Sequence, residues 1–235
     1  MQTLRKLHDA ASVTRFVCHS RRVLKIAARF GWLPGARYTN LRDVRRFERI
    51  GFIDIQWSEY SFKRHLEAVK ATRPIMTVAR DIENMEDLEL ILDQAEELAI
   101  HSEYVVVVPK DLRLASVMDG AIPSKFVLGY SVPTRYGGTR IPLHAFKRPV
   151  HLLGGRPDVQ RKLAESASVV SLDCNRFTID AAFGDYFDGE TFRLHLYGGY
   201  ERCLRASLGN INKLWRDYTP NGSRTYEHRP TRKTL

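Results

Sequence analysis

The chain has few cysteines, and their spacing indicates neither a cross-link nor a metal site. Only three occur, Cys18, Cys174 and Cys203, without a CxxC pair or a His/Cys spacing typical of zinc ligands. This odd, scattered set excludes a disulfide framework and a structural zinc site. We therefore expect a protein of a reducing compartment that binds no metal.

Long apolar runs are also missing. No stretch approaches the roughly 18 apolar residues that cross a membrane. The first twenty residues would interrupt a signal-peptide core with Arg5, Lys6, Asp9 and Arg15. The expected location is the cytoplasm, with no membrane partner.

Acidic residues are fewer than basic residues. The chain has 27 acidic and 37 basic residues, a net charge of +10 and a pI near 9.7. This charge attracts polyanions, which makes nucleic acid the expected partner class, although basic surfaces also serve solubility. Four arginines recur at helical spacing and predict one phosphate-binding stripe. They are Arg42, Arg45, Arg46 and Arg49.

Short β-branched or apolar runs alternate with helical patterns, which is typical of βα units around a parallel sheet. The predicted strands are Thr14–Cys18, Phe52–Gln56, Ile75–Ala79, Tyr104–Val108, Lys125–Tyr130, Pro149–Leu153 and Val169–Asp173, with an eighth near Phe192–Leu196. The predicted helices are Tyr60–Ala71, Met85–Ala99, Asp158–Ala167 and Tyr200–Tyr218. This count predicts a compact (β/α)₈ TIM barrel over residues 1–218, followed by a basic, flexible tail at 219–235.

A doubly wound open sheet is the alternative fold. Its dinucleotide fingerprint is missing, because no G-x-G-x-x-G follows a predicted strand. We expect no cofactor.

Three acids follow or close apolar strands, where a barrel enzyme collects its chemistry. They are Asp54, Asp81 and Asp173. Any one of them alone is equally well explained as a helix cap or a buried acid satisfied by the backbone. Three together favour a site in which one carboxylate stays ionised as a nucleophile while another keeps a proton as a general acid. Cleavage of a glycosidic bond requires these two roles, a nucleophilic carboxylate and a general acid.

Several segments resemble, in order, the tRNA-guanine transglycosylases and their phage-type relatives, the 7-deazaguanine DNA transglycosylases. Residues 148–157 (R-P-V-H-L-L-G-G-R-P) and 169–175 (V-V-S-L-D-C-N) are similar to the family's R-Y-L-M-G-V-G-x-P strand and the D-M-F-D-C-V strand that follows it. Residues 125–131 resemble a strand whose backbone faces the bound base, and residues 75–82 resemble a strand ending in a base-recognising acid.

The resemblance implies a barrel enzyme with Asp173 as nucleophile and Asp81 as the carboxylate that binds the base edge. Asp54 becomes the second acid, although the alignment also permits Glu59. The further residues expected to bind the base are Gly129, Tyr130, Gly154 and Gly155. Arg176 falls near a family arginine at which a phosphate contact is expected.

The family's zinc motif of three cysteines and a histidine is absent here. Because members that act on tRNA commonly keep that module, the resemblance favours DNA over RNA as the partner, with a free 7-deazaguanine such as preQ0 as the incoming base. Phage-type relatives imply the cytoplasm of an infected host cell. The alternatives are a base-excising glycosylase, a tRNA substrate, or a non-catalytic nucleic-acid-binding barrel.

Two further residues lie next to the proposed site. His151, in the strand before Gly154, is either polar site lining or a satisfied core histidine. Cys174 is better explained as a small buried residue than as a catalytic thiol.

Overall fold

A computed structural model describes residues 13–135 and 137–220. Eight parallel strands close into a barrel in the order in which they occur along the chain, so the fold is a compact TIM barrel, as predicted. The barrel strands are β1 (Thr14–Cys18), β2 (Leu33–Arg37), β3 (Phe52–Asp54), β4 (Met76–Val78), β5 (Tyr104–Val107), β6 (Val127–Ser131), β7 (Val150–Leu153) and β8 (Val169–Asp173). A separate antiparallel hairpin contains β9 (Asp185–Phe187) and β10 (Phe192–Leu194).

Helices surround the barrel. They are α1 (Arg21–Ala28), α2 (Phe62–Thr72), α3 (Leu88–Ala99), α4 (Met118–Ala121), α5 (Pro157–Leu163), α6 (Arg176–Ala182) and α7 (Tyr200–Leu214). Short 3₁₀ turns occupy Met85–Asp87, Leu112–Ser116 and Leu143–Ala145. None of the described helices combines the length and apolar character needed to span a membrane.

The pairing register defines which side chains point into the barrel. Phe16 pairs with Asp173, and Gly129 pairs with His151. Because side chains alternate between the two faces of a strand, every second residue belongs to the interior. The last inward-facing residues of β3 and β8 are Asp54 and Asp173, so the fold brings two of the predicted acids to the same end of the barrel.

The prediction for the eighth strand was wrong. Phe192–Leu194 belongs to the hairpin outside the barrel, and the missing strand is β2, which contains Pro34 and Gly35. Those residues disfavour a strand by propensity. Here Gly35 is required, because a Cβ at this position would lie 2.5 Å from Cys18 Sγ.

The predicted helical stripe of arginines was also wrong. Residues 42–46 form consecutive turns, and β2 connects to β3 without a helix. The amide of Val44 donates to the carbonyl of Leu41, and that of Phe47 donates to the carbonyl of Val44, both across three residues. Arg42 and Arg49 therefore do not share the face of one helix.

The end of α7 ties the chain back onto the barrel. Trp215 is buried, and Tyr218 accepts a hydrogen bond from the Val169 amide at 2.8 Å through its hydroxyl oxygen. Trp32 donates to Asn212 Oδ1 at 2.9 Å, which joins α7 to the segment after α1. Residues 221–235, most of the predicted tail, lie outside the described residues.

Candidate active site

The candidate site lies at the carboxyl ends of the strands, where the loops of a TIM barrel hold catalytic groups. Asp54 ends β3, Asp173 ends β8, and Asp81 lies three residues beyond β4. The charges of Asp173 and Asp81 both raise the pKa of Asp54, so the three carboxyl groups lie within electrostatic range of one another. The fold thus brings together all three acids chosen from the sequence.

Asp54 is held so that protonation is favoured. Burial raises its pKa to about 7, with a further contribution from the negative charge of Asp173. The Ile55 amide donates to Asp54 Oδ1 at 2.8 Å, which partly opposes the rise. Near neutral pH this group is therefore present both as acid and as carboxylate. Glu59, the alternative second acid, is exposed in the loop beyond β3.

Asp173 is buried, and its carboxylate is oriented by the neighbouring strand. The Gly154 amide donates to Asp173 Oδ1 at 3.0 Å, and His151 Nε2 lies 3.5 Å from the same oxygen. The Gly154 amide therefore fixes the orientation of the Asp173 carboxylate at the end of β8.

Gln160, which no sequence pattern indicates, holds the loop beside Asp173. Its Nε2 donates to the carbonyl of Gly154 at 2.7 Å and to the carbonyl of Asp173 at 2.8 Å. Gly154 has a φ of 62°, a conformation that favours glycine. Gly155 has a φ of 89°, and a Cβ there would lie 2.5 Å from Val132 Cγ1. The glycine pair thus shapes the support of Asp173, whereas the prediction was contact with the base.

Asp81 forms a buried ion pair that no sequence pattern indicates. Its Oδ2 lies 2.6 Å from Lys110 Nζ, and neither carboxylate oxygen accepts a well-aligned hydrogen bond. Burial raises the pKa of Asp81 to about 7 despite the opposing charge of Lys110. Lys110 Nζ also lies 4.8 Å from the ring centroid of Trp57, whose side chain is half-exposed.

The remaining residues predicted to bind the base have packing roles. Gly129 faces the interior, where a Cβ would lie 2.7 Å from both Val106 Cγ1 and Val108 Cγ2. Tyr130 is buried, and its ring contacts Phe146 edge-on at 5.3 Å between centroids. Because it alternates with Gly129, it points to the outer wall, away from the site.

The arginines predicted to bind nucleic acid are dispersed. Arg176 begins α6 beyond β8, and its guanidinium makes a two-point contact with Asp180 at 2.5 and 2.7 Å. Arg42 and the exposed Arg45 and Arg46 follow β2. Arg49 pairs at 2.9 Å with Glu103, which precedes β5 and therefore lies at the opposite, amino end of the barrel.

Arg37 is a better-placed cation than the predicted set. It ends β2 in register with Asp54, and its charge lowers the pKa of both Asp54 and Cys18. Its side chain is exposed and forms no ion pair within 4 Å among the residues described here. A positive charge is thus available at the entrance, next to the acids.

Neither nearby thiol resembles a nucleophile. Cys174 is buried, which confirms its interpretation as a small buried residue, and this burial raises the pKa of its thiol to about 12. Burial and the charges of Asp54 and Asp173 raise the pKa of Cys18 well above its ordinary value. Within residues 13–135 and 137–220, no three His, Cys, Asp or Glu side chains form a metal-binding group, and the absence of metal stays a prediction.

Two surface cavities lie away from the acids. One of about 410 Å³ is lined in part by Asp119, His144 and Lys147. Another of about 390 Å³ lies between Arg22 and residues 197–202. The chemistry of the side chains, more than cavity size, therefore identifies the candidate site.

Comparisons with known proteins agree with the fold. The chain is similar in structure to the YdjI aldolase from Escherichia coli K12, with a TM-score of 0.56 and 10% identity over 90% of this chain and 94% of that one. It is also similar to a putative fructose-1,6-biphosphate aldolase from Coccidioides immitis, with a TM-score of 0.53 and 11% identity over 91% and 94% of the two chains. At such identities the likeness shows the fold alone.

No curated protein matches the chain in sequence. One family does match, over residues 27–216. These residues include strands β2 to β8 of the barrel, the three acids and Lys110. The chain belongs to this family, which is described as a family of unknown function, DUF6610.

Proposed function

We propose that this barrel exchanges a guanine of DNA for a free 7-deazaguanine base through a covalent ester between Asp173 and the sugar. The observation that carries the proposal is the pair of inward-facing carboxyl groups at the ends of β3 and β8. Burial and the charge of Asp173 bring the pKa of Asp54 to about 7, while the Gly154 amide donates to Asp173. One acid and one carboxylate are the groups that glycosidic exchange needs.

In the first half-reaction, a carboxylate oxygen of Asp173 bonds to C1′ as the bond from C1′ to the guanine nitrogen breaks. Asp54 supplies the proton that the departing base takes up. In the second half-reaction, the ionised Asp54 removes the ring N–H proton of the 7-deazaguanine. The nitrogen then bonds to C1′ and releases Asp173 as a carboxylate. A group with a pKa near 7 can serve both steps.

Asp81 and Lys110 provide the expected contact with the base edge. A buried carboxylate without a well-aligned donor accepts from the ring N–H and amino groups of a guanine-like base. In this proposal the ammonium of Lys110, 2.6 Å from Asp81, donates to an adjacent carbonyl of the same base. The half-exposed ring of Trp57, beside Lys110, supports stacking of a planar ring.

The charge distribution supports a nucleic-acid substrate. The chain carries a net charge of +10, and Arg37 lies at the entrance without an acidic partner among the described residues. Phosphate contacts fix a nucleic acid in register without reading its sequence. We therefore propose Arg37 as a phosphate contact beside the reacting nucleotide.

The test is incorporation of labelled preQ0 into duplex DNA by wild-type protein and by Asp173→Asn. We expect the variant to lose several orders of magnitude in rate with almost unchanged DNA affinity, because it keeps the shape but lacks the nucleophile. Asp93→Asn, at an exposed position of α3, is the control and should behave as wild type.

Parallel reactions separate the alternatives. Abasic sites formed without added base would instead indicate a base-excising glycosylase. Incorporation into tRNA but not into DNA would show that the substrate is tRNA. Binding of DNA without incorporation or base release would indicate a non-catalytic barrel and contradict the proposal.

A further inference from the structure

His151 lies inside the barrel, in a layer that is otherwise largely apolar. It is fully buried on β7, with its ring stacked on Phe52 at 5.3 Å between centroids and tilted against Phe16 at 6.0 Å. A buried imidazole has two ring nitrogens, and each needs a partner, because an unsatisfied polar group is destabilising in such surroundings. The groups that face these two nitrogens therefore indicate what the ring does.

The two nitrogens face different groups. Nδ1 lies 2.8 Å from Ser171 Oγ, which is a full hydrogen bond. Nε2 is buried without a hydrogen-bond partner, and Asp173 Oδ1 lies 3.5 Å from it. The unpartnered atom of His151 thus faces the carboxylate that the proposed reaction uses as its nucleophile.

The chemistry of these groups selects one proton arrangement. If a neutral ring carried its proton on Nδ1, the lone pair of Nε2 would face a carboxylate oxygen, which is repulsive. If the Ser171 hydroxyl donates to Nδ1, the proton lies on Nε2 and points to Asp173. A charged ring also presents Nε2–H. The alternative acceptor for the Ser171 hydroxyl, Met76 Sδ at 3.9 Å, is weak.

The Gly154 amide nitrogen and His151 Nε2 therefore face one oxygen. The Gly154 amide reaches Asp173 Oδ1 at 3.0 Å, and His151 Nε2–H points to the same atom from 3.5 Å. We propose that His151, set by Ser171, is a positioning residue that fixes Asp173 through Oδ1 and leaves Oδ2 to bond to C1′. This inference rests on the proposed function. In the ester, Oδ1 becomes the carbonyl oxygen, which keeps both donors until Oδ2 leaves.

The proton arrangement can be tested without any reaction. Nitrogen NMR of protein labelled with ¹⁵N-histidine distinguishes protonated from unprotonated ring nitrogens, and the signals of His151 are those lost in His151→Gln. We expect Nε2 to carry the proton and to shift when Asp173 is replaced by asparagine. A neutral ring protonated on Nδ1 would overturn the proposal, whatever the protein catalyses.

Kinetics tests the positioning role. Glutamine can place an amide N–H near the position of Nε2, whereas methionine has a similar volume and no donor. We expect His151→Met to lower kcat for preQ0 incorporation about 10- to 100-fold, because Asp173 Oδ1 loses the N–H group that faces it. KM and DNA affinity should be nearly unchanged, and His151→Gln should recover most of the rate. Equal rates for the two variants would contradict the role.

The two experiments distinguish the possible failures. If wild-type protein incorporates no base but NMR finds Nε2–H facing Asp173, the proposed function fails and the assigned geometry stands. If incorporation occurs and His151→Met is as fast as His151→Gln, the function stands and the positioning role is wrong.

Discussion

Replacing Asp54 by asparagine should make the protein more stable at alkaline pH. The ordinary carboxyl pKa is 3.8 and that of the folded protein is about 7. One pKa unit corresponds to about 1.4 kcal/mol, so ionisation of Asp54 costs the folded state about 4 kcal/mol in total. A raised acid pKa means that stability is highest below about pH 4 and falls until the pH exceeds about 7. Asparagine does not ionise, so the variant does not lose this stability as the pH rises.

The assay is urea denaturation of wild type and Asp54→Asn at about pH 5 and about pH 8.5. Part of the cost is already present at the lower pH, so we expect the stability of the variant relative to wild type to rise by about 2–3 kcal/mol between the two conditions. Asp93→Asn, at an exposed position of α3, should give no such change. If the free energy of unfolding of Asp54→Asn differs from that of wild type by the same amount at both pH values, burial does not raise the pKa of Asp54.

Three other substitutions test separate parts of the structure. Lys110→Met should weaken binding of guanine-type bases about 10-fold or more, measured by calorimetry, because Asp81 is left buried without its cation. Arg37→Glu should lower the salt dependence of DNA binding by about one phosphate contact, whereas Arg49→Glu, at the amino end, should change it less. Gly35→Ala should lower stability by about 1–3 kcal/mol in thermal unfolding, because the new Cβ would lie 2.5 Å from Cys18 Sγ. Equal salt slopes for the two arginine variants, unchanged base binding, or an unchanged Tm would contradict the respective explanation.

The barrel strands were predictable where the sequence contains short runs of mostly apolar residues. The segment ending in Asp173 is buried on both faces, as is typical of parallel strands, and its acid marks the end of the strand. β2 was not predictable, because Pro34 and Gly35 indicate a turn when read locally. Their place in the sheet depends on the close approach of Cys18, which is distant in sequence.

The site was predictable only in part for the same reason. Asp54 and Asp173 could be found because each closes an apolar run. Lys110 follows Pro109 and reads as a surface charge, and only its pairing with Asp81 across two loops makes it part of the site. Gln160 lies on a helix, and its two hydrogen bonds to the loop around Asp173 exist only once α5 packs against the barrel. Contacts that span strands leave no local pattern in the sequence.

The nucleophile is tested most directly by trapping the covalent intermediate. Wild-type protein is incubated with duplex DNA, denatured, digested and analysed by mass spectrometry for a peptide joined to a sugar. The proposal predicts an adduct on Asp173 that disappears when preQ0 is added in excess, and no adduct with Asp173→Asn. A variant that still incorporates preQ0 at a near wild-type rate, or an adduct on another residue, would contradict the assignment of Asp173.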